Sequence, residues 1–315
     1  MLRPADRWAW DHWLVDDGSS YHLFFLQAPR SLGDPDLRHM NATVGHAVST
    51  DLVDWTEVGT ALRPGPAGGW DDRAIWTGSI VGHEGTWYGF YTACNDADRG
   101  LVQRIGLAVS SDLVTWTRVG EGPRMATDPR WYERLDLTAW HDEAFRDPWV
   151  FRDPEGNGWH ALITARAKDG GTADSRGVVG HAWSPDLLSW EVRPPLSAPH
   201  EFGQLEVCQV VELVPGRWVL VFNVGARELS QARRERTGET RSGTYLCPAA
   251  GPLGPFDLDR ARLVSELYAG RLVRRRDGSW ALMGFLPNDP DGTFPGVISD
   301  PVPLAELPDA ADLLG

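Results

Sequence analysis

Three acidic residues, far apart in a chain of 315 residues, are of the types that make and break acetal bonds: Asp11, Asp147 and Glu206. Asp11 stands among indoles in Trp8-Ala9-Trp10-Asp11-His12-Trp13. Asp147 follows an arginine in Phe145-Arg146-Asp147-Pro148-Trp149-Val150-Phe151, just before an apolar segment that reads as a strand. Pro148 stiffens the chain at that point. Glu206 lies in Gln204-Leu205-Glu206-Val207-Cys208-Gln209. A carboxylate fixed at the mouth of a strand beside a guanidinium either closes a turn as a structural ion pair or binds something. Carboxyls that converge on one pocket do the work of glycoside cleavage. One attacks or activates water, and another protonates the leaving oxygen. Trp8, Trp10, Trp13, Trp76, Trp140 and Trp149 would suit sugar faces, although each taken alone is ordinary core material.

The elements that must position these residues follow one grammar. Trp13-Leu14-Val15, then Asp16-Asp17-Gly18-Ser19-Ser20, then Tyr21 to Gln27 reads as strand, turn, strand, because Asp-Gly supplies the positive φ of a tight hairpin. Asp16 and Asp17 are therefore turn residues. The same design returns with its second strand at Trp87, Trp159, Arg217 and Trp280, which makes five hairpins. A second repeat interleaves with the first. Gly45-His46-Ala47-Val48-Ser49-Thr50-Asp51-Leu52-Val53-Asp54-Trp55 recurs from Gly106 to Trp116 and again from Gly180 to Trp190, at spacings of 61 and 74 residues.

A period near 60 suits a four-stranded blade with generous loops, and the length accommodates about five of them. The expected fold is all-β, a five-bladed β-propeller forming one domain over residues 1–315. In the Ser-x-Asp-Leu-x-x-Trp turns, the Asp is expected to accept backbone N–H bonds and the Trp to pack between blades. Short helices are expected only near 228–238 and 304–314. The runs Arg233-Arg234-Glu235-Arg236 and Arg274-Arg275-Arg276 read as solvated surface.

Composition narrows the partners. The chain has 34 Gly, 23 Pro and 16 Trp against 30 Lys plus Arg, and its formal charge is −14. That charge argues against nucleic acid or an anionic membrane as partner and leaves a neutral saccharide open. Cys94, Cys208 and Cys247 show neither metal-ligand spacing nor a disulfide framework and read as buried free thiols. No metal and no cofactor is expected. The first residues lack an apolar stretch of signal-peptide length, so the expected location is cytoplasmic.

Trp10-Asp11 followed by Tyr21-His22-Leu23-Phe24-Phe25-Leu26-Gln27 resembles the N-terminal nucleophile region of glycoside hydrolase family 32. Gly45 to Trp55, Trp76-Thr77-Gly78-Ser79, Phe145-Arg146-Asp147-Pro148 and Glu206-Val207-Cys208 are similar to further motifs of that family, in the same order, and Tyr268-Ala269-Gly270 echoes a late Tyr-Ala element. The resemblance implies a five-bladed propeller with Asp11 as nucleophile, Asp147 as transition-state stabiliser and Glu206 as general acid/base. It also implies Trp10, Gln27, His46, Trp76 and Arg146 as sugar-binding candidates. Trp10 and His12-Trp13-Leu14 depart from the family's residues around the nucleophile, and a C-terminal β-sandwich like the family's is not expected after the fifth hairpin. Families 43 and 68 are related.

The preferred expectation is a retaining β-fructofuranosidase acting on a short saccharide, with the carboxyls of Asp11 and Glu206 about 5–5.5 Å apart. Glu206 is expected to be partly desolvated, and Asp11 hydrogen-bonded and ionised. The alternatives are an inverting furanosidase with arabinose- or xylose-type substrates, a fructosyl transferase, and a sugar-binding propeller without turnover. His141 and Asp142 lie close enough to Arg146 in sequence to touch substrate or to serve a turn.

Overall fold

Each predicted hairpin forms, and each is the start of a four-strand meander or its near equivalent. The computed structural model describes residues 1–308 and 310. β1 (Arg7–Asp16) and β2 (Tyr21–Pro29) pair antiparallel and are followed in the same sheet by β3 (Thr43–Ser49) and β4 (Thr56–Leu62). The first turn works as its sequence dictates. Gly18 takes φ 92°, and Asp17 Oδ1 accepts from the amides of Ser19 and Ser20, both at 2.7 Å.

The second sheet is β5 (Ala74–His83), β6 (Thr86–Cys94), β7 (Arg104–Ser110) and β8 (Thr117–Arg118). The third is β9 (Phe145–Arg152), β10 (Trp159–Arg166), β11 (Gly177–Ser184) and β12 (Glu191–Arg193). The fourth is β13 (Glu206–Val214), β14 (Arg217–Val224), β15 (Gly243–Ala249) and β16 (Arg262–Ser265). The fifth has β17 (Tyr268–Arg274), β18 (Trp280–Phe285) and the short β19 (Val302–Pro303).

The first strands of successive sheets touch in a closed ring: β1 meets β5, β5 meets β9, β9 meets β13, β13 meets β17, and β17 meets β1. This is a five-bladed β-propeller with its first strands around the axis. The N-terminus closes it. Leu2 and Ile298 exchange backbone hydrogen bonds of 3.0 and 3.1 Å, and Ile298 also bridges to Phe285 at the end of β18. Residues from the start of the chain thereby join the blade built from its end.

The second repeat cements neighbouring blades. In each Ser-x-Asp-Leu-x-x-Trp turn the leucine takes a positive φ, 68° at Leu52, 62° at Leu113 and 68° at Leu187. The aspartate compensates that strain by accepting amides two and three residues on, for example Val114 at 2.8 Å and Thr115 at 2.7 Å on Asp112. The tryptophan then packs on the preceding blade. Trp116 meets Phe24 edge-on at 5.7 Å and Trp190 meets Phe90 at 5.2 Å, while Trp55 joins Val273 and Met283 of the fifth blade.

Two expectations need correction. A helix, α1 (Gln231–Thr237), falls within 228–238, but Arg233 on it is buried rather than solvated. Its guanidinium donates to the Ala261 carbonyl at 2.8 Å and lies over the Phe202 ring at 4.8 Å, so its hydrocarbon stem and charge are both used in packing. Of the stretch 304–314, Leu304–Glu306 is a single 3₁₀ turn, and residues 309 and 311–314 lie outside the described residues. Cys94, Cys208 and Cys247 are buried and free.

Candidate active site

All five axial strands are broken by a bulge at the same level, and the bulges aim side chains into the funnel. In β1 the register slips between Trp10 and His12, leaving Asp11 unpaired with φ 27°. In β5 it slips between Trp76 and Gly78, releasing Thr77. In β9 Arg146 pairs with Thr164 and Trp149 with Leu162, so Asp147 and Pro148 bulge between them, with Asp147 at φ 56°. Glu206 begins β13 just before the bulge at Val207 and Cys208, and Tyr268 begins β17 just before Ala269 and Gly270. Val207 and Ala269 carry positive φ of 51° and 47°. Left-handed backbone at non-glycine residues costs on the order of 1–3 kcal/mol each and persists where the surroundings hold it.

The side chains so aimed form one network. Thr77 donates its hydroxyl to Asp11 Oδ2. Asp147 Oδ2 accepts from Thr164 Oγ1 at 2.8 Å and from the Val207 amide at 3.4 Å, while its own amide donates to Thr92 Oγ1 at 2.8 Å. Arg146, 7 % exposed, is the hub. Its Nη2 donates to Glu206 Oε1 at 2.5 Å and Gln204 Oε1 at 2.6 Å; its Nη1 donates to Asp142 Oδ2 at 2.9 Å and Gln103 Oε1 at 3.2 Å. Its Nε lies 3.5 Å from Asp147 Oδ2. Tyr268 donates its hydroxyl to the other oxygen of Glu206. Asp142 is thus held by Arg146 and by Gln204 Nε2 at 3.1 Å, whereas His141 points outward and is 61 % exposed.

Burial dominates the electrostatics. The Asp11 carboxyl is pushed up to about 7 by desolvation, against the Thr77 hydrogen bond that pulls it down, with the charges of Asp147 and Glu206 adding to the rise. Asp147 is pushed up to about 6 by the same desolvation, opposed chiefly by Arg146. The expectation of a hydrogen-bonded, ionised Asp11 is corrected in its second part: the hydrogen bond is present, but one hydroxyl does not replace the water lost, and ionisation is pushed toward neutral pH. Arg146 is held firmly protonated by Asp142, Glu206 and Asp147 despite its burial.

Of the predicted sugar contacts, Arg146 is central, and Trp76 and Trp10 border Asp11. Trp76 is half-buried and donates its Nε1 to the His39 carbonyl at 2.7 Å. Trp10 is 2 % exposed, covered by His39 at 6.2 Å and Arg38 at 5.7 Å, so it walls the site without presenting a free face. Gln27 and His46 have their hydrogen bonds within the first blade. Gln27 is buried, donating to Thr60 Oγ1 at 3.1 Å and Thr43 Oγ1 at 3.4 Å. His46, on the third strand, stacks on Phe24 at 4.4 Å and shares a 3.0 Å hydrogen bond with His22. The third blade repeats that pair as His160 and His181, also at 3.0 Å, which marks it as blade architecture.

Sequence reasoning missed Arg38 and His39. They ride on a 3₁₀ segment, Pro35–Asn41, inserted between β2 and β3. Its start was legible: Asp34 caps it by accepting the Asp36 amide at 2.9 Å, and Pro35 follows. Arg38 lowers the Asp11 carboxyl, and His39 is itself driven down to about 3 by burial and then by Arg38 and Arg146, so its ring is neutral. Thr77 was missed as well. Behind Asp11, His12 and Arg271 are fully buried. Arg271 reaches across the axis to the Gly78 carbonyl at 3.1 Å.

The arrangement offers two buried aspartates on bulges and a glutamate gripped by an arginine and a tyrosine, within one partly enclosed funnel. It suits stabilising a cationic sugar centre, attacking it and moving one proton.

Comparison with known proteins agrees with the fold. An inulosucrase from Halalkalicoccus jeotgali bound to kestose superposes with a TM-score of 0.77 at 22 % identity, covering 95 % of this chain and 84 % of that one. The β-fructofuranosidase BmSUC1 of Bombyx mori gives 0.68 at 21 % identity, covering 93 % of this chain and 60 % of that one. In sequence, the chain is 29 % identical to a fructan 6-exohydrolase of Beta vulgaris over 177 residues, 54 % of this chain and 26 % of that protein. It is 27 % identical to an invertase of Kluyveromyces lactis over 222 residues, 67 % of this chain and 33 % of that protein. The chain thus spans about a quarter to a third of these relatives. Residues 3–262, which carry Asp11, Asp147 and Glu206, match the N-terminal domain of glycosyl hydrolases family 32, and the chain belongs to that family.

Proposed function

We propose that the protein is a retaining glycoside hydrolase acting on β-fructofuranosides of short chain length. The observation that carries the reading is the convergence of Asp11, Asp147 and Glu206 on one network centred on Arg146, from strands more than fifty residues apart. Asp11 attacks the anomeric carbon while Glu206 gives a proton to the departing oxygen, leaving a fructosyl ester on Asp11. Glu206 then takes a proton from water, whose oxygen displaces Asp11 and restores the carboxylate. Asp147, fixed by Thr164 and the Val207 amide, accepts sugar hydroxyls whose hydrogen bonds strengthen as positive charge develops on the ring. An invertase and a fructan exohydrolase among the sequence relatives support the substrate class.

The test is a panel of β-fructofuranosides and arabinofuranosides, with the product anomer followed by NMR. The expected result is β-fructoside cleavage with retention, abolished in Asp11→Ala. Inversion on an arabinoside would contradict the nucleophile role of Asp11. A product carrying fructose on a second sugar would assign transfer in place of hydrolysis.

A further inference from the structure

Near the axis lies a second buried guanidinium, and its partners differ from those of Arg146. Arg271 stands on β17 immediately after the bulge at Ala269 and Gly270. Tyr268, on the funnel side of that bulge, reaches Glu206; Arg271, on the far side, is 2 % exposed. The direction of its side chain follows from its strand. Leu272 packs with Val211 and Leu213 of the fourth blade, whereas Val273 packs with Leu23 and Phe25 of the first. Arg271 is two residues from Val273, so it leaves β17 on the same side, toward the first blade. From there it reaches the second and third blades. Its Nη2 donates to the Gly78 carbonyl at 3.1 Å, and its guanidinium lies 5.1 Å from the centre of the Trp149 ring.

Both contacts fall at bulges that carry the chemistry. Gly78 follows Thr77, which donates to Asp11. Trp149 follows Asp147 and Pro148. One side chain thus braces the floor of the funnel at the two places that hold the aspartates.

The charge of Arg271 is not spent on a local partner. Arg146 has Asp142, Asp147 and Glu206 at 2.9, 3.5 and 2.5 Å. Arg271 has no carboxylate within ion-pair distance among the described residues, and its Nε and Nη1 have no protein acceptor. The titratable groups that face it are Asp11 and His12 from β1, Asp147 from β9 and Cys208 from β13, while β5 offers backbone. His12 is neutral, driven down to about 3 by burial and then by Arg271, and burial keeps the Cys208 thiol protonated. The two aspartates remain as the negative charges opposite this cation. Burial pulls Arg271 down to about 10, and Asp147 and then Asp11 oppose the fall, so it stays charged. A buried cation without a close anion is unfavourable for folding, and packing alone does not account for it.

We propose that Arg271 is a positioning residue for the two aspartates: it fixes the bulges that present them and places a permanent positive charge that favours their ionised forms. The proposal rests on the roles of Asp11 and Asp147 given above.

The experiment reads the charge in two ways. ¹³C NMR of aspartate-labelled protein follows the two carboxyls, each assigned by its loss in Asp11→Asn or Asp147→Asn. The pH profile of kcat/KM on a β-fructofuranoside follows the carboxyl that attacks. In Arg271→Met both carboxyl titrations should move up by about one pH unit, and the acid limb should move with Asp11, so that activity falls about tenfold at pH 6 and about twofold at pH 8. Arg271→Lys, which keeps the charge, should bring both titrations back to within about half a unit of wild type. Arg271→Gln, which keeps a donor for the Gly78 carbonyl, is a second neutral variant and should match Arg271→Met. An equal loss of activity at every pH with unmoved carboxyls would make Arg271 structural and overturn the proposal. Failure of both neutral variants to fold would overturn it in the same way. If wild type cleaves no β-fructofuranoside but the carboxyls still shift in Arg271→Met, the hydrolase reading fails and the charge role of Arg271 stands.

Discussion

At the scale of the residue, Asp11 and its single hydrogen bond decide when the site is competent. Attack requires the ionised carboxylate, which Thr77 stabilises and burial opposes. Thr77→Val removes the stabilising bond, so the acid limb of kcat/KM should move to higher pH, by about half a unit to one unit, with the alkaline limb unmoved. A limb that stays in place would show that Thr77 does not govern Asp11. The same burial has a sign in stability. The folded-state value of about 7 lies above the ordinary 3.8, so the native state retains a proton that the unfolded chain has released. Below pH 4 both states are protonated and nothing is lost; between about 4 and 7 the native state is progressively penalised. Asp11→Asn should therefore raise Tm at pH 7.5 by an amount corresponding to a few kcal/mol, and the gain should vanish toward pH 4. A gain of equal size at both pH values would contradict the burial argument.

At the scale of the element, the bulge is the functional device and the tryptophan turn the structural one. Gly78 shows how little freedom the bulge allows: an added Cβ would stand 2.0 Å from the Phe90 carbonyl oxygen. Gly78→Ala should therefore displace β5 from β6, and Thr77 with it, lowering kcat as well as Tm. Trp190, wedged on Phe90 of the preceding blade, should behave otherwise. Trp190→Ala should cost about 2–3 kcal/mol of stability, measured by denaturant unfolding, with kcat of the remaining folded protein unchanged. These two elements were unequally legible. The tryptophan turns recur with their Ser, Asp and Leu, so self-similarity exposed them. The bulges do not recur as a motif: Asp11, Thr77, Asp147, Val207 and Ala269 share a place in the fold, but only Asp11 and Asp147 share a side-chain type. That is why the carboxylates could be named from sequence while Thr77, which holds one of them, could not.

At the scale of the molecule, five meanders made a propeller legible, since each hairpin announces its turn with Gly and three of the interblade contacts are announced by a Trp turn. The closure was not legible. Leu2 pairs with Ile298 across nearly the whole length of the chain, and no local pattern encodes a partner that distant. The partners of Gln27 and His46 were not legible for a related reason. Gln27 sits in a strand correctly predicted and bonds Thr43 and Thr60, while His46 pairs with His22. His39 reaches the site from an insertion between strands, where periodicity carries no signal. The closure predicts that removing residues 1–5 should lower Tm by several degrees, because the fifth blade loses its outermost backbone pairing and the Leu2 side chain leaves the cluster it shares with Ile298 and Met283.

The most direct measurement of the central claim is mass spectrometry of the protein trapped during turnover of a β-fructofuranoside. The two-step account predicts a fructosyl adduct on Asp11, which accumulates in Glu206→Ala with an activated aryl substrate because the second step then lacks its base. An adduct on another residue, or cleavage with inversion and no adduct in any variant, would contradict it.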